Sequence, residues 1–331
     1  MATKTKFHEP LSTAMKPLTD IDQLVPRVDG ILLVSAPASN YNGDPDAEGA
    51  PRIDADGYGI ISNVSIHRKI RDTILMMAEN PAISLFKDDL EHNQIFVKPN
   101  SIRTEQTTRV LDLDPKSNLA KVFAGYDSTS SKGEESPEKS NKTPMATREE
   151  RAMVANKVCE AYIDTRLFGQ VLNVGGVSGA MHFEHAFSVD PVEIQDIGIT
   201  ASQVANQKEA KEKVSTMGRT RFVKYALFPL RFSINPEYAR LNHLTRKDYE
   251  NVIEVLKYVF SMTNSANRHL QLERMFIFEH DNPLGSMPDS QLRKVVHIEK
   301  TTELPNSFDD YKVMLNTELL KKYPGITVKE Y

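Results

Sequence analysis

Four aspartates crowd one stretch of this sequence: Asp44, Asp46, Asp54 and Asp56. Carboxylates so close together could hold a divalent cation. Read as a calcium loop beginning at Asp54, the stretch places Asp56 third, Gly59 sixth and Ile61 eighth, all acceptable. Tyr58 then falls fifth and Ser65 twelfth, so one carboxylate and the essential bidentate Glu are missing. A magnesium-dependent nuclease site stays open, because paired carboxylates can hold Mg²⁺ against phosphate. Turn-forming Asp and Asn residues account for the same spelling. The run Gly175-Gly176-Val177-Ser178-Gly179 looks like a phosphate loop but lacks the Gly-Lys-Ser/Thr ending and leads into a strand. Glycine directly after Ser178 breaks the nucleophile-elbow spacing, so close backbone approach is the better reading. His182, Glu184 and His185 lack a zincin spacing, and Cys159 has no cysteine partner. No enzyme signature survives.

The cations are arranged differently. Arg52 follows the turn-rich loop Asn42-Gly43-Asp44, and His67-Arg68-Lys69-Ile70-Arg71 follows that. Arg219, Arg221 and Lys224 stand in Met217–Tyr225, a run with aromatics and no acid, and Arg268 ends the small-residue segment Asn264–Arg268. Cations beside flexible turns suit phosphate contacts, since side-chain charge and backbone N–H groups can both reach the ligand. Solvated surface is the bland alternative. No RNP-type aromatic motif is present, which excludes an ordinary RNA-recognition motif.

The elements that must position these residues are legible in outline. Arg27–Ala36 has an apolar centre, Ile31 to Val34, short enough for a buried strand. A helix begins near Ser62, with Ile66, Ile70, Ile74 and Met77 on one face and Pro81 beyond its end. Ile95-Phe96-Val97 reads as a strand, and Tyr126–Pro144 as a polar, mobile loop. Thr147 and Glu150 have capping-box spacing before a helix reaching about Tyr162. Met181, Phe183, His185, Phe187 and Val189 alternate as a half-buried strand ended by Asp190-Pro191, with His185 packed in the core. Residues 196–216 form a polar insertion, and Arg219–Ile234 returns to strand. Thr245 and Asp248 cap a helix whose core side is Val252, Val255, Leu256, Val259 and Phe260. Strands follow at Arg274–Phe278 and Val295–Ile298. This order is compatible with an α+β fold built on a split βαβ, ferredoxin-like antiparallel sheet interrupted by insertions.

At 331 residues the chain exceeds the roughly 100–150 residues of a typical single domain, so one domain with large insertions is expected. A single cysteine excludes an internal disulfide framework and suits a reducing cytosol. No apolar run approaches the roughly 20 residues that span a bilayer. Met1 to Pro17 has no apolar stretch of the secretory kind, so a cytoplasmic protein without a membrane partner is expected. The net charge of −4 argues against a generally basic nucleic-acid coat while permitting a basic groove on an acidic body.

Several segments together resemble a known family. Asn40-Tyr41-Asn42-Gly43-Asp44-Pro45-Asp46, Pro51-Arg52-Ile53-Asp54 and His67-Arg68-Lys69-Ile70-Arg71-Asp72 resemble the N-terminal signature of the Csd/Csh-type backbone proteins of type I CRISPR systems. The similarity continues through Tyr162–Gly169, Gly179–Val192, Met217-Gly218-Arg219, Ser265-Ala266-Asn267-Arg268 and Phe308-Asp309-Asp310-Tyr311. The blocks run in order over nearly the whole chain, and the type I-C branch looks closest.

The resemblance implies a RAMP-superfamily protein of antiviral defence. It implies an RRM-like palm over residues 27–331, fingers inserted at 82–150, a thumb at 192–217 and a flexible arm over residues 1–26. Copies would stack as a helical filament on the spacer of one crRNA, beside other Cascade subunits, leaving bases free to pair with target DNA. The RNA-binding residues it implies are Asn42, Arg52, Arg68, Lys69, Arg166, Arg219, Arg221 and Arg268, with no catalytic residue, metal or cofactor. Related backbone subunits of type III systems cut RNA with an acidic residue after the first strand, a role for which Asp44 or Asp46 is the alternative.

Overall fold

The run Ile31-Leu32-Leu33-Val34 forms the middle of strand β1 (Arg27–Ser35), and every residue of β1 after Arg27 is buried. A strand covered on both faces reads as an unbroken apolar run rather than an alternation. The computed structural model describes residues 18–83, 85–86, 89–129, 145–201 and 216–331. After β1 come β2 (Tyr58–Ile61), α1 (Asn63–Glu79), α2 (Arg103–Thr108), α3 (Asn118–Thr129), α4 (Arg148–Ala161) and α5 (Ile163–Phe168). Five strands follow: β3 (Gly169–Leu172), β4 (Gly175–Ser178), β5 (Met181–Phe183), β6 (Ala186–Pro191) and β7 (Ile194–Ala201). Next are β8 (Thr216–Val223), β9 (Leu227–Ile234), α6 (Pro236–Leu241), α7 (Arg246–Thr263) and β10 (Gln271–His280). The last elements are α8 (Asp289–Leu292), β11 (Val296–Lys300), β12 (Tyr311–Leu315), α9 (Thr317–Leu320) and β13 (Ile326–Glu330).

The chain divides into two compact units, each assembled from discontinuous segments. The sheet unit comprises Val28–Thr73, Phe183–Ser233 and Val255–Tyr331. Strands β13, β10, β1 and β9 of the five-stranded sheet (order β13-β10-β1-β9-β5) lie in this unit apart from an end residue of β1 and of β9, and β10 pairs with β13 antiparallel. Ile31, Leu33, Leu227, Phe276 and Phe278 supply its core, with Val295 packed among them. Three antiparallel pairs, β2–β6, β7–β8 and β11–β12, complete its strands. The fold class is thus α+β with antiparallel sheets, as expected.

The helical unit comprises the described residues up to Arg27, with Ile74–His182 and Ile234–Glu254. Phe96, Phe123, Val154, Val158 and Tyr162 form its core. The Thr147–Glu150 capping box starts α4 as expected: the Thr147 hydroxyl accepts from Glu150 N, and the Glu150 carboxylate accepts from Thr147 N at 2.7 Å. Residues 18–26 of the expected flexible arm are tied in, because Leu18 N donates to Arg240 O and Val25 is buried. Residues 1–17 of that arm lie outside the described residues.

Helix α1 buries Ile66, Ile70, Ile74 and Met77, each worth roughly 1.5–3 kcal/mol relative to exposure. Helix α7 buries Val252, Val255, Leu256, Val259 and Phe260, and Thr245 and Asp248 exchange the expected caps at its start.

Four expectations are corrected. Ile95-Phe96-Val97 is not a strand: the Asp164 carboxylate accepts from Phe96 N at 2.7 Å and Val97 N at 3.2 Å, replacing the ladder bonds a strand would need. The alternation from Met181 to Val189 breaks at Glu184-His185. There the chain leaves the five-stranded sheet as β5 and pairs with β2 as β6. That shift inverts the parity, so Ala186 and Ser188 are buried while His185 and Phe187 are exposed. Helix α3 runs to Thr129, four residues into the stretch read as a loop; residues 130–144 lie outside the described residues. The polar insertion at 196–216 begins and ends as paired strand, since β7 and β8 hold eight residue pairs from Ile194↔Val223 to Ala201↔Thr216. Residues 202–215 lie outside the described residues.

Candidate nucleic-acid interface

The loop after β1 is fixed by its own side chains. Ser39 and Val223 exchange backbone hydrogen bonds, Asn40 N donates to Asn267 O at 2.8 Å, and Asn40 Nδ2 donates to Gly49 O at 2.7 Å. Tyr41 lies against Phe228 and donates its hydroxyl to Arg52 O. A Cβ on Gly59 would sit 2.6 Å from the Tyr41 hydroxyl, so only glycine lets β2 pass beneath that ring. Asn42 Oδ1 accepts from both the N–H and the hydroxyl of Ser62, joining the loop to the start of α1.

The aspartates serve the turns. Asp44 Oδ1 accepts from Asp46 N at 3.1 Å and from Arg52 Nη2 at 3.2 Å, capping the single 3-10 turn Pro45–Ala47. Asp54 Oδ1 accepts from the N–H groups of Asp56 and Tyr58. These are Asx turns, the geometry such Asp-rich spelling favours.

Arg219, Arg221 and Arg268 meet in one polar cleft of about 370 Å³, floored by Asn40, Gly49 and Asn267. All of it belongs to the sheet unit. Arg268 is exposed, and its guanidinium lies over Gly43, next to Asn42. It carries no ion pair among the described residues. Lys69 stands near Arg268 and donates to the Thr263 hydroxyl at 3.1 Å. Burial, reinforced by the Arg268 charge, holds the Lys69 ammonium below its ordinary pKa. Arg219 and Arg221 both reach Asp196 across the β7–β8 pair, at 3.3 and 3.2 Å. Arg221 also pairs with Glu48 at 3.0 Å, and the hydrogen bonds it donates to Glu48 and Asp196 raise its pKa. Three guanidiniums, carbonyls and amides in one open cleft can grip a phosphodiester backbone by charge and shape without reading bases.

The remaining expected residues fall elsewhere. Arg52 is engaged with Asp44, in the same loop as Asn42. Arg68 is paired with Asp72 one turn along α1. Arg166 is a correction: it is 3% exposed and lies in the helical unit. Its guanidinium donates to His92 O, Cys159 O and Asn93 Oδ1, with Asp248 at 3.4 Å. A side chain so buried, with both terminal nitrogens committed within its own unit, is not presented to a phosphate. The glycine run at 175–179 is likewise structural. A Cβ on Gly179 would stand 2.3 Å from the Phe168 carbonyl carbon, which is the close backbone approach expected.

Sequence reasoning missed Asn40, Asn267, Glu48 and Asp196. Asn40 carried a signal, since it opens the quoted loop block; the carboxylates carried none, because only pairing of β7 with β8 brings Asp196 beside the arginines. Also missed was the anchor below the β7–β8 pair. Asp190 accepts from the Tyr311 hydroxyl and pairs with Lys300, both at 2.9 Å, linking two of the blocks quoted above. Burial, then Asp190 itself, pushes the Tyr311 hydroxyl far above the usual phenol range.

The β7–β8 ribbon has two unlike faces. Asp196, Gly198, Arg219 and Arg221 project on one side, while Ile197, Ile199 and Phe222 project on the other, with both isoleucines about half exposed.

A family model described as "CRISPR-associated protein Cas7" matches residues 26–316. One similar solved structure is described as "CRISPR RNA-guided surveillance complex, pre-nicking"; it is 16% identical, with 81% of each chain covered and a TM-score of 0.49. Another, "CRISPR RNA-guided surveillance complex", is 14% identical over 92% of this chain and 88% of its own, with a TM-score of 0.44. No curated protein matches the sequence.

Proposed function

This chain belongs to the Cas7 family of CRISPR-associated proteins, and from that premise we propose that it is the crRNA-binding backbone subunit of a type I surveillance complex. The observation that carries the RNA-binding role is the convergence of Arg219, Arg221 and Arg268 on one polar cleft, with Lys69 beside it. Copies line the spacer of the guide, neighbouring subunits of the complex cap the filament, and target DNA is read by pairing with the exposed bases. The protein works in the cytoplasm, and no helix among the described residues is long and apolar enough to cross a membrane. The type I-C branch is the subtype its motif blocks fit best. In this reading the five-stranded sheet is the RRM-like palm, residues 82–150 are the fingers, and residues 192–217 are the thumb, with β7 and the start of β8 as its arms. The subunit grips RNA and does not cut it; the engagement of Asp44 with its own turn and with Arg52 supports that reading.

The test is binding of a long single-stranded RNA, followed across salt. Each neutralised phosphate contributes about −0.7 to the log–log salt slope of a single strand. Arg268→Glu is expected to weaken binding sharply and to flatten that slope. Lys321→Glu, at an exposed lysine paired only with Glu318 among the described residues, is expected to bind as the parent does. Equal losses in both variants, or one-to-one stoichiometry on a long RNA, would overturn the assignment.

A further inference from the structure

Two of the three cleft arginines are already occupied by carboxylates of the same chain. Arg221 has every face of its guanidinium engaged: Nη2 with Glu48, Nε with Asp196 and Nη1 with Ala47 O at 3.2 Å. Arg219 shares Asp196. Only Arg268 is without a carboxylate among the described residues. Glu48 is the exposed member, with a side chain 82% accessible against 22% for Arg221. It sits at the end of the Pro45–Ala47 turn in left-handed backbone (φ 53°, ψ 32°), a conformation that glutamate seldom adopts. Gly49 follows with a φ of 78°, so the turn carrying Glu48 continues into the one residue type that moves freely there.

We propose that Glu48, supported by Asp196, is a specificity-determining residue of the RNA cleft: its carboxylate stands in for a phosphate on Arg221 and yields only to a strand that presents several phosphates at once. The inference rests on the RNA-binding reading above and deepens it. A first phosphate settles on Arg268, which has no competitor. The next phosphate of the same strand, held at high local concentration by the first, then exchanges with Glu48 on Arg221. An exposed ion pair is weak and salt-screened, so a tethered phosphate can displace it. An isolated phosphate, lacking the tether, cannot. Arg221 thereby ignores free phosphate and small anions while remaining open to a polynucleotide.

The experiment compares Glu48→Gln with Asp46→Asn, which removes the same charge two residues earlier on the same turn. Binding of single-stranded RNA is measured from low to moderate salt, with inorganic phosphate as competitor. Glu48→Gln is expected to bind RNA several-fold more tightly at low salt, with the gain shrinking as salt rises, because the pair it removes is itself screened. It is also expected to become more sensitive than the parent to inorganic phosphate. Asp46→Asn is expected to show neither change, and the Glu48→Gln gain is expected to vanish in an Arg221→Ala background. Equal gains from both variants, or weaker binding by Glu48→Gln, would overturn the proposal while Arg268→Glu still abolished binding. If Arg268→Glu also bound normally, the cleft itself would be wrongly identified.

Discussion

Lys69 carries the clearest pH prediction at the scale of single residues. Its pKa is held below 10.5 by burial and by Arg268. A bound phosphate favours the charged ammonium, so the pKa in the complex is higher than in the free protein. Binding therefore takes up a proton between those two values. Affinity is full at pH values below the depressed pKa and is lost as pH rises through the interval toward the restored one. RNA affinity is expected to fall on going from neutral to alkaline pH, and Lys69→Arg is expected to flatten the profile. A parent profile identical to that of Lys69→Arg would remove Lys69 from the site. Arg268 and Lys69 drew notice in the sequence because each sits in a short cationic block. Arg166 drew notice for the same reason, and sequence does not distinguish an exposed guanidinium from one buried against Asn93 and Asp248.

Helices were more legible than strands, and the reason is local. The Thr147–Glu150 box and the Thr245–Asp248 caps are three-residue signals that need nothing from elsewhere in the chain. Strand assignment depends on the partner. Ile95-Phe96-Val97 has the composition of a strand, yet its amides are claimed by one carboxylate 67 and 68 residues away. Asp164→Ala would leave two amides unpaired, Phe96 N buried and Val97 N partly so, at a cost of roughly 2–6 kcal/mol from about 1–3 kcal/mol per group. Urea denaturation is expected to show a midpoint shifted down accordingly, and a loss under about 1 kcal/mol would mean that water replaces the carboxylate. The break at Glu184-His185 was invisible for a related reason. Alternation was correct on each side, and the change of sheet partner between them inverted it.

For the molecule as a whole, an acidic total conceals a basic cleft, because the acids and the arginines meet only after β7 has paired with β8. The net charge of −4 gave no indication of it. The cleft's charged face and the apolar face of Ile197, Ile199 and Phe222 are two sides of one ribbon, separated by a pleat of period two. Length changes in this ribbon consequently obey an odd–even rule. One residue added to β8 between Arg221 and Val223 would turn Arg219 and Arg221 away from the cleft, to the side on which Ile197 and Ile199 project; two added residues would restore them. In a filament the error would recur in every copy, multiplied along the strand. A single inserted alanine is expected to abolish RNA binding while the fold survives, and a pair of alanines is expected to recover much of it, as gel-shift titration of the two variants would reveal. Drift in this arm is thus quantised: it can lengthen or shorten only in steps that preserve parity.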